Sequence, residues 1–72
     1  MENIKPNDKV KIKDNLIVGK TYDMWTPFLE EMAKYRGKVM TVEDYSEYDG
    51  YYLKEDDKGF NWSYDMLEKV RR

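Results

Sequence analysis

Residues 60–67 read Phe-Asn-Trp-Ser-Tyr-Asp-Met-Leu, a stretch that contains two structural signals in succession. Phe60 and Trp62 have the two-residue spacing that places two side chains on one face of a strand. Ser63 then belongs to the group of residues that cap the start of a helical turn. We therefore predict a short strand that ends at Ser63, one capped 3₁₀ turn, and a short last strand at residues 68–70.

Three further strands are predicted upstream of this stretch, and tight turns follow the second and the third. Residues 8–13 alternate polar and apolar side chains, which is typical of a half-buried strand. Residues 38–45 and 51–55 follow as a hairpin, because the Asp-Gly pair at residues 49–50 is a strong signal for a sharp turn. Residues 56–59, which read Asp-Asp-Lys-Gly, predict the next tight turn.

The long connection after the first strand is predicted to contain one short α-helix. Thr26 is a suitable N-cap, and Pro27 is a suitable first helical residue. Gly37 suits the position that follows the end of a helix. Three side chains share one helix face by their spacing: Phe28, Met32 and Tyr35.

The order of these elements resembles that of an SH3-like barrel. In that fold a long connection follows the first strand, three strands joined by tight turns come next, and a 3₁₀ turn precedes the last strand. The likeness at residue level rests on three short motifs: Gly-Lys-Val-Met-Thr-Val at residues 37–42, Tyr52-Leu53, and Trp62 with Met66-Leu67. These motifs are similar to those of the small SH3-like proteins of Firmicutes and their phages, and of the SH3-like repeats of mind-bomb proteins.

The resemblance implies a mainly β protein with a single SH3-like barrel domain over residues 1–72. We expect about five strands, one short α-helix inserted after the first strand, and a 3₁₀ turn before the last strand. The side chains expected in the core are Val10, Ile12, Leu29, Met32, Tyr35, Val42, Leu53, Trp62 and Leu67.

The residue types present restrict the chemistry of the chain. Its 72 residues include no cysteine and no histidine, so disulfides, thiolates and imidazoles are excluded. Seven Tyr, two Phe and two Trp supply apolar area for the core of so small a domain. No acid, base and nucleophile stand at a spacing typical of catalysis, so we expect a non-catalytic protein with no cofactor and no metal site. We also expect a cytoplasmic protein, because the sequence shows no disulfide framework, no signal peptide and no apolar run of membrane-spanning length.

Charge is distributed unevenly along a chain whose net charge is −2. Residues 1–20 contain five lysines against three acids, whereas residues 43–57 contain seven acids against one lysine. The leading hypothesis is that the acidic hairpin docks on a basic surface of a partner protein. The residues assigned to this contact are Glu43, Asp44, Glu47, Tyr48, Asp49, Tyr52 and Glu55, with Tyr48 and Tyr52 expected to be exposed.

Such a module would act as an inhibitor or adaptor, and the resemblance implies an accessory protein of a phage or mobile element. Another interpretation of the carboxylates remains open, in which they only keep the hairpin solvated and prevent edge-to-edge aggregation. Asp56-Asp57 and Glu43-Asp44 offer oxygen ligands for Ca²⁺ or Mg²⁺, but Asp-Asp-Lys-Gly is too short for an EF-hand loop and lacks its distal glutamate.

Two other functions remain open. A nucleic-acid-associated barrel would use a basic face on the first and last strands, which would form if those strands pair. Its residues are Lys5, Lys9, Lys11, Lys13, Lys20, Lys69, Arg71 and Arg72. A peptide or methyl-lysine reader would instead use an aromatic cage. The rings available for a cage are Tyr22, Trp25, Tyr45, Tyr48, Tyr52 and Tyr64, unless they pack the core and brace loops.

Overall fold

The computed structural model describes residues 4–22, 26–47 and 50–70, and these residues form a mainly β protein. They contain six strands and two short 3₁₀ helices. In chain order the elements are β1 (Lys9–Ile12), β2 (Thr21–Tyr22), β3 (Thr26–Pro27), the first 3₁₀ helix (Glu30–Tyr35), β4 (Val39–Ser46), β5 (Gly50–Leu53), the second 3₁₀ helix (Tyr64–Met66) and β6 (Leu67–Lys69).

Four strands form an antiparallel sheet in the order β5-β4-β1-β6, and β2 and β3 form a separate two-stranded sheet. β4 is long enough to pair with two neighbouring strands of the larger sheet, one along each part of its length. Its first residues oppose β1, with Met40 opposite Val10, and its later residues oppose β5, with Tyr45 opposite Tyr51. The first and last strands pair directly, and neither sheet closes on itself within the described residues.

The core lies where the alternating pattern of the strands directs apolar side chains. Val10 and Ile12 of β1 are completely buried, as the period of two in residues 8–13 predicts. All predicted core residues except Leu29 are buried. Six further buried side chains belong to the core: Ile4, Leu16, Phe28, Met40, Tyr51 and Met66.

The predicted α-helix is wrong, and the reason lies in backbone pairing. Thr26 and Pro27 form β3 instead of a helix start, and the pairing continues when Phe28 N–H donates to the Lys20 carbonyl at 2.9 Å. The helix therefore begins only at Glu30 and forms a six-residue 3₁₀ helix. Leu29 becomes the residue before its first turn, 39 % exposed, which is why it is not in the core.

The end of the first 3₁₀ helix follows the prediction. Gly37 comes directly after the C-cap residue, with φ of +76°, and its N–H donates to the Ile12 carbonyl at 2.7 Å. Glycine adopts a positive φ at little cost because it has no Cβ atom. Gly37 therefore allows the chain to turn sharply into β4.

The predicted strand over residues 60–62 is reduced to a single bridge. Tyr51 and Trp62 exchange backbone hydrogen bonds of 2.8 and 2.9 Å, but the residues before Trp62 are not paired in a strand. The side chain of Asp56 explains this, because it holds the loop in a different shape. Its carboxylate, 6 % exposed, accepts from the backbone N–H groups of Lys58 at 3.0 Å and Phe60 at 2.8 Å.

Trp62 is held in the core by both ring packing and a hydrogen bond. Its ring is completely buried and packs edge-on against Tyr35, with 5.9 Å between ring centroids. Its indole Nε1–H donates to the Asp56 carboxylate at 3.0 Å, so the one polar group of the ring is satisfied. Phe60, expected on the same face, is only half-buried and packs at the border of the core.

The second 3₁₀ helix confirms the predicted cap and turn. Ser63 is its N-cap, and the Ser63 hydroxyl accepts from the Asp65 backbone N–H at 3.2 Å. Met66 and Leu67, which the turn directs inward, are both buried, and β6 begins at Leu67.

We predict that Trp62→Ala lowers the free energy of unfolding by about 3–5 kcal/mol, since it removes a completely buried ring and leaves a cavity. Urea titration followed by circular dichroism measures the change. Val39→Ala, at a side chain that is 54 % exposed, is the matched control and should cost less than about 0.5 kcal/mol. If Trp62→Ala lost less than about 1 kcal/mol, the role given to this ring would be wrong.

Candidate functional site

The β4–β5 hairpin carries most of the residues predicted to contact a partner. Glu43, Asp44 and Glu47 are exposed, as a docking surface requires. Tyr48 and Asp49 lie outside the described residues. Tyr52 is half-buried, so the prediction that it is exposed is wrong.

A β-bulge decides which side chains share a face of the hairpin. Val42 pairs with Leu53, but the next pair is Asp44 with Tyr52, so Glu43 is the extra residue of β4. Without the bulge, strict alternation from buried Val42 would point Asp44 toward the core and Tyr45 away from it. The inserted Glu43 reverses this order, so Asp44 lies on the outer face and Tyr45 on the face of Tyr51.

The two faces of the hairpin tip therefore differ in chemistry. Directly opposite residues of an antiparallel pair lie on the same face, so Asp44 and Tyr52 share one face. Tyr45 and Tyr51 share the other, which continues toward the core through Leu53. Two of the predicted contact residues, Asp44 and Tyr52, therefore share a face, whereas Tyr45 lies on the other.

Tyr45 is the exposed aromatic side chain of the hairpin that sequence reasoning did not assign to the contact surface. It is 48 % exposed, and its ring lies against Tyr51 with 4.7 Å between centroids and a 42° angle between planes. Burial raises the pKa of Tyr51, and the nearby phenols of Tyr45 and Tyr64 raise it further. The rings of Tyr45 and Tyr51 are in contact and Tyr64 lies near Tyr51, and we call these three residues the tyrosine cluster.

Glu55 lies beyond the end of β5, exposed to solvent but hydrogen-bonded to the neighbouring strand β4. Its carboxylate accepts from the backbone N–H of Thr41 at 2.7 Å and from the Thr41 hydroxyl at 2.9 Å. Lys9 Nζ donates to the same hydroxyl at 2.7 Å. Desolvation opposes the charged form, but the Thr41 hydrogen bonds and the Lys9 charge outweigh it and lower the pKa of Glu55. Glu55 therefore ties β1 and β4 to the turn that follows β5.

Asp56 also has a structural position that its place in an acidic run did not indicate. Its two carboxylate oxygens accept three N–H groups, which leaves them committed to the loop and to Trp62. Within the described residues, no group of three or more acidic side chains lies close enough together to hold a metal ion.

The aromatic residues considered for a cage do not converge on one point. Tyr45 and Tyr52 lie on opposite faces of the hairpin. Tyr22, in β2, accepts the Ile17 backbone N–H at 3.1 Å and has Lys20 Nζ 5.2 Å from its ring centroid. Trp25 and Tyr48 lie outside the described residues. Tyr64 lies near Tyr51, whose ring contacts that of Tyr45.

The basic side chains of β1 and β6 are mostly engaged with acids or hydroxyl groups. Lys11 Nζ lies 3.5 Å from an Asp14 carboxylate oxygen, and Lys69 Nζ lies 3.4 Å from Asp8. The backbone N–H of Lys5 lowers the pKa of Asp8 by hydrogen bonding, and Lys69 lowers it further. Arg71 and Arg72 lie outside the described residues. Pairing of the first and last strands thus brings acids as well as lysines to this face.

An open groove of about 440 Å³ lies between the first connection and the second 3₁₀ helix. Lys13 and Lys20 line it together with Asp65, and a neighbouring groove adds Glu68. Both signs of charge alternate along these grooves, so they offer no site for one class of ion.

None of the helices in the described residues has the length and apolar character needed to cross a lipid bilayer. Compared with protein-family models, with curated proteins and with solved structures, the chain has no significant match.

The Glu55 network predicts a specific acid dependence of stability. Because the folded-state pKa of Glu55 lies below its ordinary value of 4.5, the carboxylate stabilises the fold above that pH. This contribution is lost as the pH falls through the lowered pKa. Because Glu55 is exposed to solvent, Glu55→Gln should lower the free energy of unfolding by only about 1 kcal/mol at pH 7. The loss should become progressively smaller below pH 4.5.

Thermal unfolding midpoints measured from pH 3 to pH 7 test this dependence. The curves of wild type and Glu55→Gln should converge at the acid end. Glu47→Gln, at an exposed turn residue of the same hairpin, should remain parallel to wild type throughout. A Glu55→Gln curve that also stays parallel would contradict the assignment.

Proposed function

We propose that this chain is a small SH3-like barrel that acts as a non-catalytic protein-interaction module. Its β4–β5 hairpin docks on a basic surface of a partner protein, for which it serves as an inhibitor or adaptor. The observation that carries the proposal is the charge of residues 43–53, which include four acids and no lysine or arginine. Three of those acids are exposed: Glu43, Asp44 and Glu47.

The sheet topology supports the SH3-like part of the proposal. A long connection follows β1, and β4 is shared between two pairings, first with β1 and then with β5. The bridge between Tyr51 and Trp62 adds the position of a further strand next to β5. A 3₁₀ helix then leads into β6, which pairs with β1. This order supports the proposal of an SH3-like barrel.

The way the hairpin is attached supports its use as a rigid contact surface. Its base is fixed by buried Val42 and Leu53, and by the bonds from Thr41 to Glu55. Lys54, the cation that follows the hairpin, donates to Asn7 Oδ1 at 2.9 Å. The carboxylates nearer the tip thus stand on a fixed support, which reduces the conformational entropy lost on binding.

An acidic surface of this kind favours a basic partner in two ways. It steers a positively charged protein toward the hairpin and so raises the association rate. It also repels acidic partners and the phosphate backbone of nucleic acids, so it contributes to selectivity. The alternative as a nucleic-acid-associated barrel has weaker support, because Lys11 and Lys69 of the basic face are paired with acids.

A site-specific photo-crosslinker tests the proposal in cells. p-Benzoylphenylalanine at position 47, in the turn after β4, should crosslink to a defined partner protein. The same group at Val39, which is 54 % exposed at the other end of β4, should not capture that protein. Equal capture from both positions would contradict docking through the hairpin tip.

Titration of the purified partner then tests the charge contribution. Reversal of Glu43, Asp44 and Glu47 to lysine should weaken binding at least tenfold at low salt, and raising the ionic strength should reduce the difference. The control reverses three exposed acids away from the hairpin, Glu30, Glu31 and Asp57, and should bind within about twofold of wild type. Equal loss in both variants would show only a net-charge effect and would overturn the proposed surface.

A further inference from the structure

In the tyrosine cluster, the exposed side chain of Tyr45 packs against the buried ring of Tyr51. The Tyr45 ring is about half exposed, and Tyr51 beneath it is buried with 8 % exposure. Tyr51 is fixed by the backbone bridge to Trp62 and by the ring of Tyr45 at 4.7 Å. Tyr64 packs against the core from the second 3₁₀ helix. The exposed ring therefore cannot sink into the core, because that space is already filled.

The β-bulge places Tyr45 opposite Tyr51. The inserted Glu43 turns Tyr45 to the Tyr51 face of the hairpin, yet nearly half of its ring remains in solvent. A large aromatic side chain contributes most to stability when it is completely buried. The exposed part of Tyr45 therefore adds no hydrophobic stabilisation to the fold. An exposed ring that is stacked on a fixed neighbour is the kind of surface that anchors a binding partner.

We propose that the open face of Tyr45, backed by the tyrosine cluster, receives an arginine side chain from the partner protein. This inference rests on the proposed function and identifies the partner group that contacts the hairpin. A guanidinium group is planar, so it stacks parallel to the ring while its N–H groups remain directed outward around the edge.

Charge complementarity favours a cation at this position. The hairpin carries three exposed carboxylates, Glu43, Asp44 and Glu47, although Asp44 lies on the face opposite Tyr45. Residues 43–53 contain no lysine or arginine of their own to occupy the ring. The negative potential of this hairpin adds to the attraction between the Tyr45 ring and a cation.

Arginine is favoured over other groups that stack on aromatic rings. Lysine presents a compact and strongly hydrated charge that loses more hydration on stacking. A nucleic-acid base would bring its phosphate close to the hairpin carboxylates, which repel it. A methyl-lysine cage needs several rings around one cation, whereas the hairpin places Tyr52 on the face opposite Tyr45.

The test uses the whole chain and a defined probe, the peptide acetyl-Gly-Arg-Gly-Arg-Gly-amide, titrated at low salt and followed by NMR. We expect saturable binding, with the δ-methylene protons of arginine shifted upfield by the ring current of Tyr45. Tyr45→Leu should weaken binding about fivefold and abolish that upfield shift. Tyr45→Phe, which keeps the ring, should retain both.

Matched controls separate the ring from the charge. The lysine peptide of equal charge should bind more weakly than the arginine peptide and show no comparable ring-current shift. Ile17→Ala, at a side chain that is 59 % exposed outside the hairpin, should bind within about twofold of wild type. All three variants and wild type are first compared by thermal unfolding, because Tyr45 is half exposed and its replacement should leave the fold intact.

The outcomes distinguish this inference from the proposed function. If neutralising Glu43, Asp44 and Glu47 removes peptide binding while Tyr45→Leu leaves it unchanged, the hairpin docks by charge alone and the arginine seat is wrong. Absence of binding up to millimolar peptide also overturns the seat, whereas the crosslinking experiment above judges the interaction module separately. Equal binding and equal shifts with the lysine peptide would contradict the choice of arginine.

Discussion

The fold of this small chain depends on one buried carboxylate. Asp56 accepts two backbone N–H groups from its own loop and the indole N–H of Trp62, with all three distances at or below 3.0 Å. Charged acceptors give the stronger protein hydrogen bonds, and their burial leaves them little competition from water. The interaction sets the loop shape and orients the largest ring of the core at the same time. In a domain without disulfides, such a contact takes the place of a covalent link.

The orientation of Trp62 is then transmitted to the hairpin. Its backbone bridges to Tyr51, and Tyr51 supports the exposed ring of Tyr45. Gly50 has φ of +93°, and a Cβ atom there would come within 2.6 Å of the Trp62 carbonyl oxygen, so only glycine allows this close approach. The contact surface proposed for the partner thus stands on the same residues that close the core. In the proposed function, stability and recognition would therefore depend on the same residues.

Local patterns in the sequence predict the elements that depend on neighbouring residues only. Alternation identifies β1, and the serine signal identifies the cap at Ser63, because each requires only a few adjacent residues. The β-bulge at Glu43 leaves no such local signal, so the exposed ring of Tyr45 is not predictable from alternation. Asp56 looks like one of many solvated acids until its loop folds back onto Trp62. Thr26 favours a helix start in isolation but pairs with Tyr22 when the chain returns, and tertiary pairing overrides the local preference.

The most direct measurement of this account is the stability of Asp56→Asn against that of Asp57→Asn. Both changes remove one negative charge from adjacent positions, but Asp56 is buried and Asp57 is exposed. Urea titration followed by circular dichroism should show a loss of roughly 2–4 kcal/mol for Asp56→Asn, because the amide cannot accept all three N–H groups. Asp57→Asn should change the free energy of unfolding by less than about 0.5 kcal/mol. Two variants of equal stability would contradict the claim that the Asp56 carboxylate organises the fold.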